Sequence, residues 1–351
     1  MTLQSSMAEA LRRTRSGDLI GATALIRATL GGDANPPPVV DPGGVVIDLK
    51  PERVTVDARR GKPVLPQGSF EARRHVEPGG RIEYMLYRPA DAASGLPLVV
   101  MLHGCTQSPE DFALGTGMNR LADELGFLVA YPRQTPAANQ QKCWNWFRPG
   151  DQERGRGEPA LIAGVTRDVI EAERADAVRV YVAGLSAGGA AAAIMADAYP
   201  DLFAAVGVHS GLACGAARDL PGALSAMKRG SASGGKRRNT ASRFVPLITF
   251  HGDRDGTVHE INARELVAAA TAATGVPVEV EVETGKAGGR SYTRALSRDT
   301  AGKALIEQWT VAGAGHAWSG GDPAGSYADA GGPNASREML RFFLEQQRTG
   351  G

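Results

Sequence analysis

Apolar residues along this chain gather into short runs more than into helical stripes. Leu96–Leu102, Phe127–Tyr131, Val178–Ala183, Ala204–Val208 and Val245–Phe250 are brief, apolar and bounded by turn-forming residues. That is the signature of strands covered on both faces, as in a parallel sheet. The segments between them suit helices, and such alternation predicts a mostly parallel sheet with helices on both faces. Arg81–Tyr87 alternates instead, with Ile82, Tyr84 and Leu86 on one face, and predicts an outer strand. Near the end, Val278–Val282, Ser291–Leu296 and Leu305–Val311 predict three further strands, partly antiparallel, before a last helix over Ser336–Gln347.

The N-terminal part has a different rhythm. Residues 7–30 predict two short helices, with Ala8 and Leu11, then Ile20, Ala24 and Leu25, at helical spacing and a break at Gly17-Asp18. Residues 31–68 are rich in proline and glycine and predict a linker. The expected organisation is a helical appendage over 1–30, a linker over 31–68 and an α/β domain over 69–351. The appendage is expected to cover a surface or pair with another chain. Lys228–Arg243 is expected to be an exposed loop, in preference to a basic binding site.

Composition changes this picture little. The 351 residues carry a formal net charge of +1, which argues against a nucleic-acid, anionic-membrane or polyanionic partner. Cys105, Cys143 and Cys214 are too few for a disulfide framework and include no CxxC zinc pair. No apolar stretch approaches membrane-span length, and Met1–Ala10 lacks the basic start of a secretory signal. The expectation is a cytoplasmic protein, with secretion by an unseen route left open.

The strand-to-helix junction near residue 186 carries the chemistry. Gly184-Leu185-Ser186-Ala187-Gly188 is a G-x-S-x-G turn between a β-branched run and the alanine-rich stretch Ala190–Ala198. Such a turn lifts the serine hydroxyl above the sheet at a helix N-terminus, and glycines two positions either side avoid collision with neighbouring strand and helix. This is the nucleophile turn of the α/β-hydrolase fold. A serine hydroxyl needs a base, and His316, in the loop Gly313–Gly321 after the last apolar run, stands where that fold places one. Of the other histidines, His103 is expected to shape an oxyanion loop, His209 to be packed and hydrogen-bonded, and His75 and His259 to lie on the surface. The acid is expected after Val245–Phe250, where Asp255 is preferred to Asp253, the latter being assigned to bonding its own turn. His251, the two aspartates and His259 do not fall on one face, so no metal is expected. The backbone amides of Ala187 and Cys105, the second in the loop turned by Gly104, are the expected oxyanion donors.

The runs Leu102–Gln107, Gly115–Asn119, Cys143–Phe147, Gly184–Gly189 and Gly315–Gly321 together resemble the polyhydroxybutyrate depolymerase esterases, relatives of the feruloyl and acetylxylan esterases of the first carbohydrate esterase group. The resemblance spans about Phe70 to Phe343. It implies Ser186, Asp255 and His316 as a triad, Cys105 and Ala187 as oxyanion donors, an ester substrate and no cofactor. Secreted polymer-degrading members of that family carry a signal peptide and a polymer-binding domain. Neither is visible here, which favours soluble oligomers or small esters, with hydroxyalkanoates ahead of feruloyl or acetylxylan esters. A peptidase or acyltransferase keeping the triad, and a non-catalytic polymer-binding protein, are the alternatives. In the insertion Arg133–Glu158, Trp144, Trp146 and Phe147 are expected to line an acyl or aromatic pocket, with Trp318 adding a wall; the alternative is that one tryptophan anchors the loop. Whether Cys105 and Cys143 pair stays open, and in a reducing cytoplasm they are expected to remain thiols.

Overall fold

The computed structural model describes residues 68–91, 93–231 and 243–348. The expected N-terminal helices, the linker up to residue 67 and most of the 228–243 loop lie outside the described residues.

Strands β1 (Ser69–Glu77) and β2 (Gly80–Arg88) form a hairpin, followed by β3 (Leu98–Leu102), β4 (Leu128–Pro132), β5 (Val180–Leu185), β6 (Ala205–His209) and β7 (Leu247–Gly252). β8 (Glu279–Ala287), β9 (Arg290–Arg298) and β10 (Ala304–Val311) come last. They join in one ten-stranded sheet of order β1-β2-β4-β3-β5-β6-β7-β10-β9-β8. Pairing is parallel from β4 through to β10 and antiparallel at both margins. The helices are α1 (Pro109–Thr116), α2 (Met118–Leu125), α3 (Gly157–Glu173), α4 (Ala187–Ala198), α5 (Leu220–Arg229), α6 (Ile261–Thr274) and α7 (Ala335–Leu344). None of them is long and apolar enough to cross a membrane.

Alternation along the strands builds two cores. Val100, Leu102, Val180, Val182, Val206 and Val208 pack with Ile162 and Val165 of α3 and Ile194 of α4. Their sequence neighbours Val99, Met101, Tyr181, Ala183 and Leu185 pack on the other face with Phe112, Leu121, Leu340 and Phe343. Helices therefore cover both faces, and each fully buried side chain of this size contributes about 1.5–3 kcal/mol. Because the central strands run parallel, the loops after β3, β5, β6, β7 and β10 all emerge at one edge of the sheet.

Two expectations are corrected. His75 is buried, not superficial: its Nδ1 lies 2.7 Å from the Asp168 carboxylate, and its ring occupies the space a Cβ on Gly164 of α3 would need, 2.7 Å from Cδ2. Lys228 and Arg229 belong to the last turn of α5, where cations favour the helix dipole, and not to a loop.

Phe343 stacks on Tyr181 with ring centroids 5.0 Å apart, closing the second core beneath β5. Phe343→Ala is expected to lower the unfolding free energy by about 3–5 kcal/mol. Urea denaturation followed by far-UV circular dichroism checks this; a loss under about 1 kcal/mol would contradict it.

Candidate active site

Ser186 stands between the end of β5 and the start of α4 at φ 58°, ψ −120°, a strained backbone for a residue with a side chain. Its hydroxyl caps no helix amide, its N–H donates to His209 O at 2.9 Å, and the residue is 8% exposed. The flanking glycines are required by contact. A Cβ on Gly184 would stand 2.7 Å from Leu102 O, and one on Gly188 would stand 2.6 Å from His103 O. The turn thus lies directly against the loop that follows β3.

Buried polar bonds fix that loop. Gly104 N–H donates to Gln107 Oε1 at 2.9 Å, and Gln107 Nε2 donates to Ser326 O at 2.9 Å. His103 Nδ1 lies 2.8 Å from Gly104 O, while its Nε2 receives the Gln134 N–H at 3.1 Å. A carbonyl only accepts and an amide N–H only donates, so the partners assign a neutral ring with its hydrogen on Nδ1. Burial agrees, pushing the His103 pKa down to about 4. Among the described residues, neither the Cys105 N–H nor the Ala187 N–H donates to a backbone acceptor; the second is one of the open amides at a helix start.

Asp255 and His316 meet. Asp255 Oδ2 lies 2.7 Å from His316 Nδ1, and Oδ1 accepts from the Thr257 and Val258 N–H groups at 2.9 and 2.8 Å. Burial opposes ionisation of Asp255, but the His316 hydrogen bond and charge outweigh it and hold its pKa down at about 2. Asp253 has a different task from the one expected: its Oδ1 accepts from Gly313 N–H at 2.7 Å, tying the loop after β7 to the loop after β10. His209 joins the two halves, since its Nε2 receives the Ser319 N–H at 3.0 Å. No cluster of three metal-ligating side chains occurs among the described residues.

A cavity of about 650 Å³ opens here, lined by Ser186, Ala187 and Cys105 on one side and by Trp146, Phe147, Leu212, Leu224, Met227 and Val258 elsewhere. Only Trp146 of the three expected tryptophans lines it. Trp144 is fully buried and donates its indole N–H to His103 O at 3.0 Å; Trp318 is 1% exposed and donates to Ser336 Oγ at 3.0 Å. Both are anchors, because an indole N–H taken out of water needs an acceptor and each finds one in the core. Cys105 and Cys143 form a disulfide with S–S 2.06 Å, and Cys214 is free. Closing a separation of 38 residues contributes about 4 kcal/mol in the chain-entropy account.

Glu158, at the start of α3, is a residue that sequence reasoning missed. Its Oε1 accepts from the side-chain amides of Gln134 and Asn145, and its Oε2 from the Asn145 N–H at 2.7 Å. One carboxylate therefore clamps both ends of the segment from Gln134 to Asn145, which carries Trp144 and Cys143 of the disulfide. Burial, reinforced by the Asp151 charge, raises its pKa to about 7 against the lowering by these donors.

The chain matches the model of the family described as Esterase PHB depolymerase over residues 82–278, a stretch holding Cys105, Ser186 and Asp255 and ending before His316. It is 32% identical over 246 residues to poly(3-hydroxyalkanoate) depolymerase C of Paucimonas lemoignei, covering 68% of this chain and 58% of that protein. It is 34% identical over 137 residues to feruloyl esterase B of Thermothelomyces thermophilus, covering 39% of this chain and 46% of that protein. The chain thus spans about half the length of these curated relatives. Among solved structures, the acetyl xylan esterase from Aspergillus awamori superposes with a TM-score of 0.60 at 20% identity, over 78% of this chain and 99% of that one. At that identity the likeness speaks to fold, and the fold is that of the α/β-hydrolases.

Glu158 gives a linkage prediction. Its folded pKa, about 7, lies above the ordinary 4.5, so between those values the folded state holds a proton that the unfolded state has lost. Stability from this group is present below pH 4.5 and lost as pH rises towards 7. In Glu158→Gln the donor-to-donor mismatch is a constant offset, so the stability of wild type relative to the variant should fall across that window. Paired denaturant titrations at several pH values check this; a difference that stays flat, or grows with pH, would contradict it.

Proposed function

Because the chain belongs to the Esterase PHB depolymerase family, we propose that it hydrolyses carboxylic esters through an acyl-enzyme on Ser186. The observation that carries this reading is the cavity in which Ser186 stands beside Cys105 and Ala187, at the sheet edge where Asp255 holds His316. His316 takes the serine proton as Oγ attacks the ester carbonyl, then delivers it to the leaving alcohol; water repeats the sequence in reverse. Asp255 stays ionised at any working pH and keeps the imidazole hydrogen on Nδ1, leaving Nε2 to accept. The Cys105 and Ala187 amides receive the tetrahedral oxyanion, and each such donor is worth roughly 3–4 kcal/mol. Hydrogen bonds between nucleophile and base are often long in the free state and tighten with substrate.

The polyester named in the Paucimonas relative is the substrate we favour, as polymer ends or oligomers, and the largely apolar cavity walls support an aliphatic acyl chain. The Cys105–Cys143 disulfide favours an oxidising compartment over the reducing cytoplasm expected from the sequence.

Ser186→Ala is expected to cut hydrolysis of a short p-nitrophenyl ester by at least about 10⁴-fold while leaving circular dichroism and the melting midpoint near those of wild type. Undiminished turnover by a folded variant would overturn the reading.

A further inference from the structure

The insertion between Arg133 and Glu158 carries four arginines, and three of them are matched to carboxylates. Arg133 pairs with Glu110, Arg154 with Asp201 and Arg156 with Glu153. Arg148 differs. It has no ion pair or side-chain hydrogen bond among the described residues, and it lies on the wall of the cavity that holds Ser186. Among the described residues it is also the one charged residue lining that cavity, with no carboxylate and no lysine beside it. A guanidinium stays protonated at any working pH and presents a planar fork matched to a carboxylate. With Trp146, Phe147, Leu224 and Met227 also lining the cavity, it offers a positive charge in a largely apolar channel whose other polar side chains, Asn139, Gln140, Gln141 and Ser186, are neutral.

We propose that Arg148 is a specificity-determining residue that selects ester substrates bearing a free carboxylate: oligomers of hydroxy acids, gripped by their own acid terminus. This rests on the ester-hydrolase reading of the site and narrows its substrate class. The acyl–oxygen bond of an ester near the chain end breaks, water supplies the hydroxyl of the new acid, and the departing hydroxy acid takes the proton. Its carboxylate remains paired with Arg148. The apolar walls take the aliphatic backbone, and a neutral sugar ester offers the guanidinium neutral acceptors only, without the opposing charge that strengthens the pairing. Arg148 is exposed, which also lets the pairing weaken with salt.

The test compares the trimer of 3-hydroxybutyrate as free acid with the same trimer as its methyl ester, using the full chain as wild type, Arg148→Gln and Arg148→Lys. Wild type is expected to favour the acid in kcat/KM, through KM, and added salt to erode that preference. The acid-to-ester ratio is expected to fall about tenfold in the glutamine variant, the scale of one charge-assisted hydrogen bond, and to recover in part with lysine. Equal handling of the two trimers by wild type, or an unchanged ratio in Arg148→Gln, would overturn the proposal while leaving the ester-hydrolase reading intact. Hydrolysis of neither trimer, nor of a short p-nitrophenyl ester, would overturn both.

Discussion

His209 receives two backbone N–H groups from different parts of the chain, one at its carbonyl and one at its ring. The carbonyl takes the hydrogen of Ser186, and the imidazole Nε2 takes that of Ser319, three residues past His316. One residue at the end of β6 therefore sets the serine turn and the histidine loop in register. The second bond exists only while Nε2 is unprotonated. Burial between Trp318 and Phe250, whose rings stack at 5.0 and 5.9 Å, pushes the His209 pKa down to about 3 and secures that state. A charged ring there would face an N–H with an N–H, and both would be buried.

The rest of the site leans on the same arrangement. A backbone like that of Ser186 costs about 1–3 kcal/mol and persists only where its surroundings over-determine it. The surroundings here are the close approach of Gly184 and Gly188 to the carbonyls of Leu102 and His103, and the buried alanines of α4. Behind the β3 loop stand Trp144, Gln134 and the Glu158 clamp, none of which lines the cavity, while the Cys105–Cys143 disulfide, which does line it, ties the loop from the cavity side.

Much of this was legible in the chain. The apolar runs that became β3, β5, β6 and β7 are buried on both faces, so their composition alone declares them, and the G-x-S-x-G turn is specific once it stands between strand and helix. β1 was not legible. SFEARRHVE is mostly polar because an edge strand with one neighbour leaves half its residues to solvent. Trp144 and Trp318 were misassigned for a related reason. An aromatic in a loop near a site has the same local sequence whether it faces ligand or core, and the decision lay with His103 O and Ser336 Oγ, 41 and 18 residues away. Glu158 and the disulfide depend likewise on partners that only the folded chain brings near; Cys105 and Cys143 stand 4.2 Å apart at Cα although 38 positions separate them.

The most direct test of the account is the structure of the protein after reaction with a small fluorophosphonate. The account predicts phosphorus bonded to Ser186 Oγ, the phosphoryl oxygen about 2.7–3.1 Å from both the Cys105 and Ala187 amide nitrogens, and His316 Nε2 facing the reacting centre. Modification of another residue, or an adduct on Ser186 whose phosphoryl oxygen points away from both amides, would contradict it.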